Sequence, residues 1–415
     1  MTKISRSWRR WRRPLRGGRR GATMLDGWKR RSLADLLEFR NGMNFTQASQ
    51  GARVKIIGVG DFKDKEVLND FSETPSITLN GKLNPDDLLK NDDLLFVRSN
   101  GNKALIGRCV LVSGITEPIS FSGFTIRGRV KSDEINHSFA SKLVRSPLFK
   151  EHLHRMGGGS SINNLSQDTL SEFCFSLPPL PEQRKIAEIL RTWDEAIEKL
   201  EALRAAKLRR ITSVRQRLFE AAFASHNRLQ RARDIFEPVS ERARPDLPLL
   251  AVMQDIGIVR RDELDRRVAM PDGDTSSYKV VRPGDFVISL RSFEGGLEYS
   301  TITGLVSPAY TVLRPTTEVV GDYYRHFFKS RSFIGRLDKL IFGIRDGKQI
   351  AFRDFGDMPI PAPPVSEQKA QTGALGCLEA DLALENVRIE ALTRQKRGLM
   401  QKLLTGEWRV NVEAD

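Results

Sequence analysis

Cysteine and histidine are scarce in this chain of 415 residues, which contains three cysteines and five histidines. Because Cys109, Cys174 and Cys377 lie far apart, they predict neither a disulfide framework nor the paired thiols of a zinc cluster. Isolated cysteines are typical of the reducing cytoplasm, where we expect this protein to be located. His152 and His154 form the closest histidine pair, and we interpret them as a solvated helix end because no cysteine or acidic cluster accompanies them. No metal site is therefore expected.

Long apolar runs and the motifs of several enzyme classes are also missing. No stretch approaches 18 consecutive apolar residues, so the sequence predicts no membrane span. The Pro-Pro pairs at 178–179 and 363–364 follow leucine and alanine, whereas an amino-methyltransferase places Asn or Asp there. No Gly-x-x-x-x-Gly-Lys-Ser/Thr phosphate-binding loop occurs. Asp346 and Lys348 have the Asp-x-Lys spacing of nuclease cores without an upstream Pro-Asp partner. We therefore expect no catalytic residue, and no cofactor bound by this chain.

Positive charge is abundant but unevenly distributed. The formal net charge is +15 and the pI is about 9.9, which favours a polyanionic partner because cations near phosphates release condensed counterions. Residues 1–23 contain nine of the cations and no acid, so the rest of the chain carries only +6. We interpret residues 1–23 as a disordered tail, or as upstream sequence translated in error with Met24 as the true start; a non-specific DNA-binding arm is the alternative. Charge alone does not decide for nucleic acid.

Internal repetition is the most informative feature of the sequence. The segment that begins at Leu177 superposes, without a gap, on the segment that begins at Ala362. The matched pairs include Pro178 with Pro363, Pro179 with Pro364, Glu182 with Glu367, and Gln183 with Gln368. Proline ends the preceding element and is tolerated at the first turn of a helix, where a glutamate also suits the helix dipole. Each copy therefore predicts the start of a helix.

A seven-residue apolar seam follows in each copy. The first seam is Ile186, Leu190, Trp193, Ile197, Leu200, Arg204, Lys207, Ile211, Val214, Leu218, and the second is Gln371, Leu375, Leu378, Leu382, Glu385, Ile389, Leu392, Lys396, Leu399, Leu403. The alternating steps of four and three residues are those of a coiled coil. Each helix would be about 40 residues and roughly 60 Å long, longer than an ordinary domain is wide. We therefore predict an intramolecular helix pair in which polar seam positions fix the register; packing of each helix on its own domain is the alternative.

The segments between the helices have similar lengths and different sequences. Both contain short strand patterns separated by glycine, asparagine and proline. LLKNDDLLFVRS (88–99) resembles VVRPGDFVISLR (280–291), and SGFTI (122–126) resembles PAYTV (308–312). The sequence thus predicts an α+β fold in which two mixed α/β domains are separated and joined by two long antiparallel coiled-coil helices, as a pseudo-two-fold repeat. The predicted divisions are a tail at 1–23, a first domain at 24–176, a first helix at 177–224, a second domain at 225–360 and a second helix at 361–410.

These features together resemble the specificity subunits of type I restriction-modification systems. The residues that carry the resemblance are 177–187 (LPPLPEQRKIA) and 401–410 (QKLLTGEWRV), and it covers about residues 24–410. The second copy departs from the pattern at Gly373 and Gly376, each of which costs roughly 1 kcal/mol relative to alanine inside a helix. We therefore expect the start of the second helix to be weakened.

The resemblance implies a function and a set of partners. The chain would be a non-catalytic DNA specificity subunit of a phage-defence system, and each target recognition domain would bind one half of a bipartite double-stranded DNA site. The helix pair would act as a spacer and dock two modification subunits, which carry S-adenosylmethionine and methylate adenine. A restriction subunit, a translocase and nuclease that uses ATP, would join them, and Mg²⁺ and ATP are expected in these partners.

Candidate DNA-binding residues come from polar loops, because base edges are contacted mostly by Arg, Lys, Asn and Gln, and phosphates by Arg, Lys, Ser, Thr and backbone N–H groups. In the first domain they are Arg98, Ser99, Asn100, Asn102, Lys103, Gly158, Ser160, Ser161, Asn163 and Asn164. In the second domain they are Arg291, Ser292, Arg345, Lys348 and Gln349. Solvated turns are the alternative interpretation. We hypothesise that Arg98 and Lys348 contribute to binding of their own half-sites.

Three other functions are compatible with the sequence. The chain could be the DNA-binding subunit of another methyltransferase or nuclease assembly with the same fold. It could be a stand-alone nuclease or methyltransferase with an unrecognised active site. A structural coiled-coil adaptor without DNA specificity is the third, and the two dissimilar globular segments argue against it.

Overall fold

The computed structural model of the chain describes residues 27–44, 53–63, 65–79, 84–157, 164–224, 228–254, 256–264, 275–288, 296–341 and 352–412. The chain forms two compact units: unit 1 comprises Met1–Lys199 and Arg388–Asp415, and unit 2 comprises Leu200–Val387. The tail predicted at residues 1–23 lies outside the described ranges. None of the helices in those ranges combines the length and the apolarity that a membrane crossing requires.

Unit 1 begins with strands and short helices and ends on a long helix. In chain order its elements are β1 (Lys29–Ser32), α1 (Leu33–Leu36), β2 (Leu37–Asn41), β3 (Arg53–Ile57), β4 (Val67–Leu68), β5 (Ser76–Thr78), β6 (Leu94–Val97), β7 (Cys109–Val112), β8 (Ile119–Phe121), β9 (Thr125–Val130), α2 (His137–Leu143), α3 (Pro147–Met156), α4 (Gln167–Ser171), β10 (Cys174–Leu177) and the first part of α5 (Leu180–Ala224). The sheets have the orders β1-β10, β2-β9-β6-β7-β4 and β5-β3-β8. All four side chains of β6 are buried because β9 and β7 flank it.

Unit 2 has a similar order of elements. They are β11 (Leu229–Arg231), α6 (Ala232–Ile235), β12 (Phe236–Val239), β13 (Leu250–Met253), β14 (Gly257–Arg260), β15 (Lys279–Val281), β16 (Phe286–Ile288), β17 (Glu298–Tyr299), β18 (Gly304–Val306), β19 (Thr311–Pro315), α7 (Gly321–Phe328), α8 (Arg331–Ile341), α9 (Phe352–Gly356), β20 (Pro359–Pro361) and the first part of α10 (Val365–Leu404). Its largest sheet has the order β12-β19-β16-β17, so β16 is the counterpart of β6.

A buried aspartate precedes the central strand in both units. Asp93 and Asp285 are each 1% exposed and each accepts the backbone N–H of the residue three positions earlier, at 2.7 and 2.9 Å. Arg129 donates two hydrogen bonds to Asp93, and Arg314 donates two to Asp285, at 2.6–2.8 Å. A carboxylate is buried at tolerable cost only when it is paired and hydrogen-bonded in this way. The correspondence between 88–99 and 280–291 therefore reflects a shared structural element.

The two long helices pack together along the predicted seams. Every seam position in α5 and α10 is buried or half-buried except Arg204, which is exposed. In unit 1 the seam residues Ile186 and Leu190 on α5 and Leu399 and Leu403 on α10 belong to one hydrophobic core. Asp194 on α5 forms an ion pair with Lys396 on α10. The helix pair and the mixed α/β class are confirmed. α10 also runs without interruption through the two glycines of its N-terminal part.

Polar seam residues pair across the helices in unit 2. Lys207 on α5 donates to Glu385 on α10 at 2.8 Å, and Glu385 is 1% exposed. Arg215 lies further along α5 and forms an ion pair with Glu379, which lies earlier in α10, at 3.7 Å. The helices therefore run antiparallel here. These pairs give the predicted register-setting positions a physical basis, because a shift of either helix would leave a buried charge unpaired.

The matching glutamates of the two repeat copies hold the starts of the long helices. Glu182 accepts hydrogen bonds from Trp28 Nε1 at 2.8 Å and from Arg409 at 2.8 and 3.0 Å. Glu367 forms the corresponding ion pair with Arg228. Arg409 follows α10 and Arg228 follows α5, so each glutamate that begins one long helix binds the arginine that follows the other. The Pro-x-x-Glu part of the repeated motif thus holds the ends of both long helices together in each unit.

His152 corrects the interpretation of the histidine pair. His152 is buried, its Nε2 lies 2.8 Å from the carbonyl oxygen of Thr169, and its ring packs on Phe149 and Phe173, whereas His154 is exposed. The reason is the apolar face of α3, on which positions three and four residues apart point the same way. In the described part of the chain, no group of three or more His, Cys, Asp or Glu side chains could hold a metal ion.

Candidate nucleic-acid interface

The loop between β6 and β7 carries most of the predicted contact residues of unit 1. Val97 and Arg108 close this loop with paired backbone hydrogen bonds, in which Val97 N donates to Arg108 O and Gly107 N donates to Val97 O. Within the loop, Asn100 Oδ1 accepts Asn102 N at 2.8 Å, and Asn102 Oδ1 accepts Ala104 N at 3.1 Å. The two asparagine oxygens therefore shape the loop. Their amide nitrogens, which have no partner within the described ranges, are the groups that remain for a ligand.

Arg98 forms three hydrogen bonds that hold separate segments together at one edge of the five-stranded sheet. Its backbone N–H donates to Phe124 O at 2.8 Å, and its Nη1 donates to Gly123 O at 3.3 Å. Its carbonyl oxygen accepts Leu165 N at 2.8 Å, which places the neighbouring Asn164 beside the same loop. The β6–β7 loop, the β8–β9 turn and the start of the 164–166 segment thus meet, although they are far apart in the sequence. Arg98, Ser99, Asn100, Asn102, Lys103 and Asn164 share this edge.

Among the residues that the structure describes, the positive charge at this edge is uncompensated. No Asp or Glu occurs between Leu94 and Thr116. Several other basic side chains of the same unit are paired, for example Arg40 with Asp87 at 2.7 Å and Lys55 with Glu117 at 2.7 Å. Arg98 and Lys103 form no ion pair within the described ranges. A surface of unpaired cations and amide donors on a rigid sheet edge suits a polyanion with hydrogen-bond acceptors, such as DNA.

Several predicted contact residues lie outside the described ranges. In the first domain these are Gly158, Ser160, Ser161 and Asn163, and in the second they are Arg291, Ser292, Arg345, Lys348 and Gln349. Their role in DNA binding stays a prediction.

Phe124 is a candidate that the analysis of polar loops missed. Its side chain is 63% exposed, and its backbone carbonyl accepts hydrogen bonds from Arg98 and Ser99. Tyr310 occupies the same place before β19 in unit 2, where it is half-buried. The match of SGFTI with PAYTV was the signal, because it places an aromatic residue at the same turn in both units. An exposed ring beside an arginine can contact the methyl group of thymine.

Comparisons with known proteins agree with this architecture. Residues 25–208 match the family model described as type I restriction modification DNA specificity domain. The chain is 23% identical over 416 residues to the putative type I restriction enzyme MjaX specificity subunit of Methanocaldococcus jannaschii, covering 93% of this chain and 94% of that protein. It is 26% identical over 206 residues to the type I restriction enzyme StySPI specificity subunit of Salmonella potsdam. That second match covers 49% of this chain and 44% of the relative, and so spans less than half of the relative's length.

The fold is also similar to that of a solved structure. A chain from work on the complex assembly and conformational transition of the type I R-M system aligns with a TM-score of 0.57 and 15% identity, covering 93% of this chain and 100% of that one. At this level of identity the similarity concerns the fold.

Proposed function

We propose that this chain belongs to the family of type I restriction-modification specificity subunits and is the non-catalytic subunit that selects the DNA site of such a complex. The observation that carries this proposal is the sheet edge at Arg98. Hydrogen bonds of Arg98 hold three segments together there, and no carboxylate of the described ranges pairs with Arg98 or Lys103. The domain that presents this edge lies within residues 25–208, which match the DNA specificity domain. Double-stranded DNA is the ligand that this surface suits best.

Each recognition domain binds one half of a bipartite site. Units 1 and 2 share the buried aspartate before the central strand and the aromatic residue at the following turn, which supports a common mode of binding. Their loop sequences differ, which supports different targets. Bases are distinguished by the side chains that reach the groove, so two related frameworks with unlike loops suit two unlike half-sites.

The paired helices dock the modification subunits. Four apolar side chains on the helix segments of unit 2 are exposed: Leu203 and Leu208 on α5 at 44% and 55%, and Leu384 and Val387 on α10 at 50% and 61%. Several exposed apolar residues on neighbouring elements are typical of a protein interaction surface. Two modification subunits would bring S-adenosylmethionine, and a restriction subunit would bring ATP and Mg²⁺.

Replacement of Arg98 by alanine tests the DNA interface. Sequencing of methylated adenines in the host, with and without this gene, first identifies the recognised site. In the complex with modification subunits, Arg98→Ala should weaken binding of that site by roughly tenfold to a hundredfold, because one arginine contact to a base pair is lost. The Arg98→Ala complex should lose discrimination between base pairs in only one of the two half-sites.

Arg30→Ala is the matched control for this gel-shift experiment. Arg30 is exposed in the two-stranded β1–β10 sheet, and its replacement removes the same charge from the same unit. An Arg98→Ala complex with the affinity and discrimination of the control would contradict the assignment of this edge. A complex that prefers no DNA sequence at all would contradict the proposed function.

A second experiment tests the docking surface. The double variant Leu384→Glu with Val387→Glu should reduce the affinity for the modification subunit at least about tenfold, because charge would replace apolar area at the centre of the contact. The measurement is co-purification, followed by titration in an analytical ultracentrifuge. Ile256→Glu is the control, since Ile256 is 64% exposed in the turn between β13 and β14 of the same unit. Equal binding by both variants would rule out this surface.

A further inference from the structure

A cavity of about 520 Å³ lies between the β6–β7 loop and helix α3 of unit 1. Its lining comes from residues 103–109 on one side and residues 144–154 on the other, all of which the structure describes. Five of the lining residues carry basic side chains: Lys103, Arg108, Arg145, Lys150 and His154. None of the lining residues is Asp or Glu.

The walls of this cavity are held by close packing. Gly107 has φ +80°, and a Cβ at this position would lie 2.2 Å from Cδ1 of Leu153 on α3. The backbone conformation therefore favours glycine here, and the missing side chain leaves room for the tip of Leu153. Ile106 and Phe149 are buried beneath, in the main core of the unit. The basic side chains are thus carried by a fixed framework.

The cations at the cavity are not equivalent. Arg145 is committed to the protein, because it donates to Cys109 O at 2.8 Å and pairs with Glu66 at 3.1 Å. Lys103 and Lys150 are exposed, and neither side chain has a hydrogen-bond or ion-pair partner within the described ranges. Two lysines and an exposed histidine around one concave surface, without a carboxylate in the lining, create a local positive potential that an anionic group would neutralise.

The position of the cavity indicates which molecule would supply the anionic group. Lys103 lies in the same loop as Arg98, and the loop is internally hydrogen-bonded, so we expect a duplex bound at the Arg98 edge to pass beside the cavity. We propose that this cavity binds a backbone phosphate of the DNA at the first half-site, with Lys103 and Lys150 supplying the charge and His154 an N–H donor. This inference rests on the proposed function. Such a contact positions the duplex but does not distinguish bases, so it should contribute equally to all DNA sequences.

The test is the salt dependence of DNA binding by the double variant Lys103→Gln with Lys150→Gln, measured in the complex with modification subunits. The slope of log K against log salt should become shallower by about 1, since the one phosphate contact that is lost contributes about 0.9. Affinity should fall about tenfold or more, by the same factor for the recognised site and for unrelated DNA.

Lys90→Gln with Lys131→Gln is the matched control. Both lysines are exposed in unit 1, and the double replacement changes the charge by the same amount. Lys90 precedes β6 and Lys131 follows β9, so both lie at the end of these antiparallel strands opposite Arg98 and Thr125. The control should keep the wild-type slope.

Three results would overturn the inference. An unchanged slope and affinity would mean that the cavity does not contact DNA. A loss confined to the recognised site would mean that the lysines contact bases. The third result combines two observations: millimolar inorganic phosphate stabilises the wild-type complex but not the double variant, and the double variant binds DNA as the wild type does. It would mean that the cavity binds a free anion and not DNA. Failure of the proposed function can be distinguished from failure of this inference. If the proposed function were wrong, the wild-type complex would show no sequence preference. The salt slopes of wild type and variant on unrelated DNA would still test the cavity.

Discussion

Replacement of Gln183 by leucine is expected to lower the free energy of unfolding of unit 1 by about 3 kcal/mol. Gln183 is fully buried at the start of α5. Its Oε1 accepts Asn136 N at 2.8 Å, and its Nε2 donates to Glu134 O at 2.7 Å and to Pro178 O at 2.8 Å. Leucine fills a similar volume but leaves one donor and two acceptors without partners.

The same side chain links three parts of unit 1. Asn136 is the N-cap of α2, Glu134 lies just before it, and Pro178 belongs to the proline segment that precedes α5. Gln368 repeats the arrangement in unit 2, where it accepts Val320 N at 2.8 Å and donates to Pro363 O at 2.8 Å. The glutamine of the repeated motif thus fastens each recognition domain to the helix that follows it.

Tryptophan fluorescence during denaturant unfolding measures this effect selectively. Residues 200–387 contain no tryptophan, and the three tryptophans within the described ranges, Trp28, Trp193 and Trp408, belong to unit 1, so the change on unfolding reports on that unit. Gln395→Leu is the control, because Gln395 is exposed on the part of α10 in the same unit, and its replacement should change stability by less than about 0.5 kcal/mol. A Gln183→Leu chain as stable as this control would show that the buried hydrogen bonds contribute little.

The second large effect is a loss of stability in acid that depends on Glu66. Glu66 contacts Lys142 at 2.6 Å, Arg145 at 3.1 Å and Lys396 at 3.4 Å. Burial alone would raise the pKa of this carboxyl group, but the three cations outweigh it and lower the pKa from 4.5 to about 2. Because the pKa is depressed in the folded protein, the stabilisation is present above pH 4.5 and is lost as the pH falls towards 2.

Glu66→Gln should therefore destabilise unit 1 at pH 7 by up to about 3 kcal/mol, the equivalent of the pKa depression. The difference between wild type and variant should shrink to about 1.4 kcal/mol by pH 3, since Glu66 is then almost fully protonated in the unfolded chain but still mostly ionised in the folded one. Tryptophan-monitored unfolding at pH 7, 5, 4 and 3 measures this difference. Glu134→Gln is the control, because Glu134 pairs with Arg31 at the surface and should show a much smaller effect. A difference between wild type and Glu66→Gln that does not depend on pH would contradict this account.

The charge cluster around Glu66 could not be predicted from the sequence. It joins a strand region, a domain helix and both long helices, which are separated by up to 330 residues. Asp194 on α5 completes the cluster by pairing with Lys142 and Lys396. Its counterpart in the second repeat copy, Glu379, accepts Arg325 at 2.6 Å in unit 2. The repeat placed these two acids in register, but Lys142 and Arg325 come from the globular segments and not from the repeated helices.

The candidate interface was predicted in part. The composition of residues 98–103 indicated this loop, whose role in DNA binding stays a prediction, and the structure places Asn164 beside it. Phe124 was missed because polar composition was the criterion, and the cavity at Lys103 and Lys150 was missed because its two walls come from separate parts of the sequence. The cavity has no local sequence signal, and the signal for Phe124 was the match of SGFTI with PAYTV.

Periodicity and repetition determined the helices of this protein without any structure. A stripe of apolar side chains every three or four residues can be buried only along a helix, so the seams of α5 and α10 and their pairing followed from spacing alone. The tertiary structure decided which polar side chains are buried and which loops meet. These depend on the order of strands in the sheets, where β9 lies between β2 and β6, and not on the order of residues in the chain. Contacts such as Gln183 with Asn136 therefore exist only once the whole unit has folded.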